Sequence, residues 1–233
     1  MPRPRYRLAI FDFDGTLADS LPWFAGVLNE VAVRYGFRTL DAAEMEALRG
    51  QDNRAIVRAL GVPGWKIPLI ASHMRRLVAR DAALIRLFPG VGDLFAGLAA
   101  GGVRVAVVTS NAEENVRRIL GPANAGLVDH FGCGASLFGK ARKIRSVLKA
   151  SGLDAADAIA IGDEVRDIEA ATAAGVASGV VTWGYARPDL LRSRGPALVF
   201  ESMGEIAERL TPGGAGPAVI PDRAQREPGA HDR

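Results

Sequence analysis

The chain has 233 residues, 48% of them hydrophobic and 24% charged, a globular composition long enough to bury a substantial core. Its 29 basic residues face 26 acidic ones for a net charge of +3, and so small an excess, scattered along the chain, excludes the basic footprint of a nucleic-acid binder. Cys133 is the only cysteine, which excludes an intrachain disulfide and fits a reducing compartment, so a cytoplasmic location is expected; the thiol itself reads as a small buried group.

The first expected strand spans roughly residues 7–13. Its apolar run, Leu8-Ala9-Ile10-Phe11, has the continuous character of a buried parallel strand. The segment before it is basic (Arg3, Arg5, Arg7), but Asp12 and Asp14 interrupt the apolar stretch, so it reads as neither signal peptide nor membrane span. The strand runs into Asp12-Phe13-Asp14-Gly15-Thr16-Leu17-Ala18-Asp19-Ser20. Carboxylates two residues apart at a strand end point to one side while Phe13 points away, and Gly15 permits a tight turn. Ligands of open α/β folds bind at such strand ends. Two adjacent carboxylates repel unless a cation or a proton lies between them, so the pair calls for a metal or for an acid and a base.

From about 20 to 87 only helical patterns appear. Trp23, Phe24, Val27, Leu28 and Val31 recur at helical spacing, and 41–48, 53–60 and 67–87 also read as helices. This length exceeds one crossover helix and predicts a helical insertion that packs on itself, with Trp23 and Phe24 in its core. Arg49, in a loop of that insertion, is a candidate for holding a substrate carboxylate or phosphate; a surface arginine is the equal alternative, and His73 and Arg76 stay open in the same way. Pro89-Gly90 marks the return to the sheet.

A helix over 91–100 and a β-branched strand over 103–109 follow. Thr109-Ser110-Asn111 then offers a hydroxyl and free N–H groups at a helix start, which suits an anion; Asn111 can also serve simply as the cap of a helix over 112–120. A weak strand is expected near 130–133. Lys140 precedes a helix over 144–151 and supplies a compact positive charge for phosphate, unless it belongs to a solvated cluster with Arg142, Lys143 and Arg145. The strand 158–162 ends in Gly162-Asp163, with Asp167 four residues on at a helix start, an oxygen-rich pair suited to Mg²⁺. A helix over 165–174 and strands over 177–182 and 198–200 complete the alternation, which predicts an α/β fold with a parallel sheet covered on both faces. From Pro212 onward the chain is rich in Pro, Gly and charge and reads as disordered.

Together, Asp12-Phe13-Asp14-Gly15-Thr16-Leu17 with Asp19-Ser20, then Thr109-Ser110-Asn111, Lys140, and Gly162-Asp163 through Asp167 resemble, in order, the four motifs of the haloacid dehalogenase (HAD) superfamily, and within it the phosphoglycolate phosphatase-like phosphatases. The resemblance covers about residues 5–200. It implies a Rossmann-like HAD core over 1–19 and 88–211 and an inserted helical cap over 20–87, and the tail over 212–233 stays outside it. By the same resemblance Asp12 is the nucleophile and Asp14 the general acid/base. Thr109 binds the phosphoryl oxygens, with Ser110 and Asn111 beside it, and Lys140 neutralises nucleophile and phosphate. Asp12, the backbone carbonyl of Asp14 and Asp163 hold Mg²⁺, supported by Asp167. Many relatives have proline after the motif lysine, where this chain has Ala141, which keeps Lys143 as an alternative; Glu164 is a further metal candidate.

The implied activity is Mg-dependent hydrolysis of a phosphomonoester through an aspartyl-phosphate. The substrate is a small phosphorylated metabolite, with phosphoglycolate, a sugar phosphate and a nucleotide all open. Neither nucleic acid nor membrane is an expected partner, and nothing specifies an oligomer. The alternatives are a β-phosphoglucomutase-like phosphotransferase, whose cap histidine is replaced here by Phe24, a haloacid dehalogenase, which has no leaving alcohol for Asp14 to protonate, and a non-enzymatic binding protein.

Overall fold

A computed structural model describes residues 5–134 and 139–211. The strands β1 (Leu8–Phe11), β4 (Arg104–Val108), β5 (His130–Gly132), β6 (Ala158–Gly162), β7 (Ala177–Val181) and β8 (Leu198–Phe200) form a six-stranded sheet in the order β5-β4-β1-β6-β7-β8. Every pairing in it is parallel; Phe11 lies opposite both Val107 and Ile161. The two-residue period of the strands sorts their apolar residues onto two faces. Ala9, Phe11, Val105, Val107, Ile159 and Ile161 pack on one side with helices α5 (Val91–Ala100), α6 (Glu113–Ala125) and α10 (Met203–Leu210). Leu8, Ile10, Ala106, Val108, Ala158 and Ala160 pack on the other with α7 (Lys140–Ser151) and α8 (Val165–Ala174). Burial on both faces explains why these strands are uninterrupted apolar runs. A short helix, α9 (Pro188–Arg192), covers the β7–β8 crossover.

Helices α1 (Leu21–Tyr35), α2 (Ala42–Leu48), α3 (Asn53–Ala59) and α4 (Ile67–Asp81) occupy the stretch between β1 and α5. They make their own small apolar clusters, Val27, Val31 and Leu77 with Trp23 alongside, and Leu28, Leu40 and Leu60 with Phe24 alongside. Asp41 caps α2 in a reciprocal capping box with Glu44.

Several expectations are corrected. The helix expected over 67–87 ends at Asp81; a 3-10 turn over 82–84 follows, and β3 (Arg86–Leu87) pairs antiparallel with β2 (Ala18–Asp19). Asp81, where the helix ends, accepts hydrogen bonds from Trp23 Nε1 at 2.9 Å and from Arg80, and a two-residue ladder has no periodicity to read. Second, α7 begins at Lys140 rather than Ile144; Lys140, Arg142 and Lys143 mask the apolar pattern in its first turn, where only Ala141 packs on the core. Third, Asn111 does not cap α6: the N-cap position is Ala112. Helix α6 also continues past Leu120 through a kink at Gly121 and Pro122. The tail over 212–233 lies outside the described residues. Among those that are described, no helix is long and apolar enough to cross a membrane.

Candidate active site

The site gathers at the carboxyl ends of β1, β4 and β6. Asp12, one residue past β1, and Asp163, one past β6, are held at 4% and 0% exposure by the paired strands. Asp167, in the first turn of α8, accepts from the backbone N–H groups of Asp163 and Glu164 at 3.0 and 2.9 Å, as expected for an acid at a helix N-terminus. One oxygen from each of these carboxylates falls within 4.8 Å of the others. Two glycines are walls of this cluster. A Cβ on Gly15, whose φ is +81°, would lie 2.1 Å from Asp163 Oδ2, and one on Gly184 would lie 2.2 Å from Asp163 Cβ.

Lys140 Nζ sits 2.8 Å from Asp12 Oδ1 and 2.5 Å from Asp167 Oδ1. Lys143 turns elsewhere and donates to the carbonyls of Thr109 and Gly134, both at 2.5 Å. Asp163 Oδ1 accepts from the Thr16 hydroxyl at 2.7 Å and its Oδ2 from Tyr185 N–H at 2.8 Å. The Asp14 carboxylate lies outside the three-acid cluster, near Asn111 Nδ2 at 3.4 Å. Asn111 Oδ1 accepts from Ala112 N–H and from Asn115 Nδ2, and the Thr109 hydroxyl oxygen accepts from Asn111 N–H at 3.0 Å. These bonds fix the loop after β4, with Ser110 partly exposed on it.

The electrostatics are those of a site short of positive charge. Burial pushes Asp12 up to about 6, against the pull of Lys140. Burial raises Asp14, and burial together with Glu164, Asp12 and Asp167 drives Asp163 well above the usual carboxylate range. Asp167 goes the other way: burial alone would raise it, but Lys140 and Arg166 hold it below the ordinary value. Lys140 stays charged because Asp12 and Asp167 outweigh its burial. Lys140 and Arg166 thus face Asp12, Asp14, Asp163, Glu164 and Asp167. Asp12 Oδ2 is buried without a hydrogen-bond partner. An orphaned carboxylate oxygen, three converging acids and an all-oxygen donor set fit a hard divalent cation such as Mg²⁺.

Arg49, the candidate substrate ligand of the insertion, reaches two backbone carbonyls beyond β7. Its guanidinium donates to Tyr185 O at 2.9 Å, Gly184 O at 3.1 Å and Glu46 Oε2 at 2.9 Å, so it docks the helical insertion onto the loop after β7. Cys133 is partly buried and burial lifts its thiol to about 12. Two contributors were not singled out from the sequence. Arg166 pairs with Glu164 and sits among the acids; an arginine inside a run of acids is the signal. Tyr185 belongs to Trp183-Gly184-Tyr185, an aromatic-glycine-aromatic triplet that follows β7 after Thr182.

Comparison with known proteins agrees with this architecture. The family described as haloacid dehalogenase-like hydrolase matches residues 9–181, and the chain belongs to it. A phosphoglycolate phosphatase of Synechococcus elongatus is 31% identical over 205 residues, covering 87% of this chain and 96% of that protein. A protein of Mycobacterium tuberculosis named tyrosine-protein kinase PtkA is also 31% identical, over 219 residues, covering 88% of this chain and 72% of its own length. Among solved structures, CbbY from Rhodobacter sphaeroides in complex with phosphate superposes with a TM-score of 0.65 at 26% identity, covering 86% of this chain and 96% of that one. A haloacid dehalogenase-like family protein from Streptococcus pneumoniae gives a TM-score of 0.72 at 21% identity, covering 87% and 97%, and shares the fold.

Proposed function

We propose that this chain is a Mg²⁺-dependent phosphomonoester hydrolase that works through an aspartyl-phosphate on Asp12. Relatives at equal identity carry two different named activities, so the site has to decide. The observation that carries the reading is the state of Asp12: one oxygen on Lys140 at 2.8 Å, the other buried and unpartnered. A carboxylate so placed has one oxygen held by a cation and the other left for a metal ion or a phosphorus atom, which supports a nucleophilic role.

Asp12, Asp163 and the backbone carbonyl of Asp14 would hold Mg²⁺, with Asp167 in support. Bound there, the ion supplies charge stabilisation to the phosphoryl oxygens. The Thr109 hydroxyl, Ser110 and Asn111 receive the phosphate. A carboxylate oxygen of Asp12 attacks phosphorus, the bond from phosphorus to the ester oxygen breaks, and Asp14 gives its proton to that oxygen. Asp14 then takes a proton from water as the water oxygen attacks phosphorus. The bond to Asp12 breaks and inorganic phosphate leaves. Lys140 offsets the charge on Asp12 and the phosphoryl group throughout. Burial holds Asp14 above the ordinary carboxylate value, which suits a group that must carry a proton in one step and accept one in the next.

The substrate is a small phosphorylated metabolite, acted on in the cytoplasm. Phosphoglycolate is the first candidate, since relatives from several bacteria bear that name. The test is release of inorganic phosphate from phosphoglycolate and p-nitrophenyl phosphate, with Mg²⁺ and with a chelator. Asp12→Asn lowers turnover by about 10⁴-fold or more while circular dichroism stays unchanged. Near wild-type hydrolysis by that variant would sink the scheme, and phosphoryl transfer to a tyrosine peptide without phosphate release would favour the kinase-named relatives.

A further inference from the structure

We propose that Asn115 is a positioning residue of this site: it fixes which way the Asn111 side chain faces, so that Asn111 offers its amide N–H to a phosphoryl oxygen. The proposal rests on the phosphate-receiving role given to Thr109, Ser110 and Asn111 above.

Nothing in the reaction just described uses Asn115. It lies in the first turn of α6, four residues after Asn111, and the two residues are buried at 2% and 4% exposure. A buried amide must find partners inside the protein. Asn115 Nδ2 donates to Arg75 O of α4 at 3.0 Å and to Asn111 Oδ1 at 3.1 Å.

Counting donors and acceptors gives the chain a direction. An amide side chain has two protons at one end and an oxygen that only accepts at the other. The carbonyl of Arg75 only accepts, so it takes the donor end of Asn115. The second proton of that NH₂ group faces Asn111, and an oxygen must receive it. Asn111 Oδ1 also receives Ala112 N–H at 2.9 Å. Two donors thus hold the Asn111 oxygen on the helix side and leave its NH₂ facing Asp14 Oδ2 at 3.4 Å. That contact is long for a hydrogen bond, and it needs no particular protonation of Asp14, since a carboxyl oxygen accepts in either state. A phosphoryl oxygen beside Thr109 is the stronger acceptor for the same N–H. Turned over, Asn111 would set its NH₂ against two donors and aim an oxygen at the phosphate.

The anchor of this chain belongs to the insertion. Arg118 makes a second tie between the same helices, donating from Nη1 to Ala79 O at 3.0 Å, one of the carbonyls left open at the end of α4. The Arg118 tie does not continue to Asn111, so it separates the setting of the amide from the docking of α4 on α6.

The test measures hydrolysis of p-nitrophenyl phosphate with Mg²⁺ and its inhibition by inorganic phosphate. For Asn115→Ala the inhibition constant of phosphate and KM each rise about tenfold, while kcat changes by less than about twofold, because a bond made to the phosphoryl group in ground and transition state alike is lost from binding. Asn115→Leu, which keeps the volume, gives the same split. Arg118→Ala moves none of the three by more than about twofold. The double variant Asn111→Ala/Asn115→Ala is no worse than Asn111→Ala alone. Unchanged phosphate inhibition in both Asn115 variants, an equal rise in Arg118→Ala, a fall in kcat at constant KM, or additive losses in the double variant would overturn the proposal. Asn111→Ala separates this failure from that of the underlying reading. If it leaves phosphate inhibition unchanged, the phosphate-receiving role of Asn111 falls and this proposal with it. If it weakens inhibition while Asn115→Ala does not, only the role of Asn115 falls.

Discussion

The rim of the sheet and the helical insertion above it are built on opposite terms. At the rim, all residues of β1 and β6 are buried, and the carboxylates past them meet backbone N–H groups, hydroxyls and glycine walls at contact distance. In the insertion, α2 has no buried residue, the clusters are small, and Val33, Trp65 and Leu69 stand exposed. Rigid packing fixes reacting atoms to fractions of an ångström, which transition-state chemistry requires. A loosely packed layer has low local stability and tolerates change. The proposed chemistry would therefore use the rim, leaving the choice of alcohol to the layer that can vary.

The largest expected contrast is between two lysines. Lys140→Met strands Asp12 and Asp167 without their cation and costs about 3–5 kcal/mol in urea unfolding of the metal-free protein. Lys143→Met removes bonds to two carbonyls and costs about 1–2 kcal/mol. Equal effects would erase the distinction between the two. Next comes the ion. Metal-free Asp12 titrates near 6, above its value of 3.8 in the open chain, so the folded state keeps a proton that the unfolded state has already released. Stability of the chelated protein falls as pH rises from about 4 to about 6. Mg²⁺ replaces that proton, so its stabilisation, about 3 kcal/mol at a hundredfold excess over Kd, is larger at pH 7 than at pH 5 in thermal melts. A gain independent of pH would argue against binding at Asp12.

Two glycines sharpen the comparison further. Gly184→Ala puts a Cβ into Asp163 and is expected to cost about 1–3 kcal/mol and to weaken Mg²⁺ binding. Gly61→Ala in the insertion meets no atom within 4 Å but must keep a φ of +66°, a penalty of about 1 kcal/mol with no effect on the metal. The smallest effect is that of Arg49→Ala, about 1 kcal/mol in Tm-derived stability for its docking bonds. An unchanged Tm with lost phosphate release would instead make Arg49 a substrate ligand.

The same contrast decided what was legible in the sequence. Elements α5, β6 and α8 end where the sequence indicated, because Gly101, Gly162 and Gly175 mark real boundaries. Asp12, Asp163 and Asp167 could be placed together because strand ends of a parallel sheet share one edge. The β2–β3 pair was invisible, since two residues carry no period. Tyr185 was invisible for another reason: its contacts run through backbone atoms and one hydroxyl, and its place beside Ser20 depends on residues 165 apart in the chain. Arg49 carried a charge that either role would need, and only three-dimensional contacts show which carbonyls it meets.

The small β2–β3 ribbon has a consequence for the evolution of the molecule. The chain enters the helical excursion through Ala18–Asp19 and returns through Arg86–Leu87, and the two crossings are hydrogen-bonded partners beside the main sheet. Whatever lies between them enters and exits at one spot. The sheet therefore registers neither the length nor the content of the excursion, because the ends to be joined are already adjacent. Such a junction works as a socket: a different insert, longer, shorter or differently folded, can be fitted there while every strand below keeps its register.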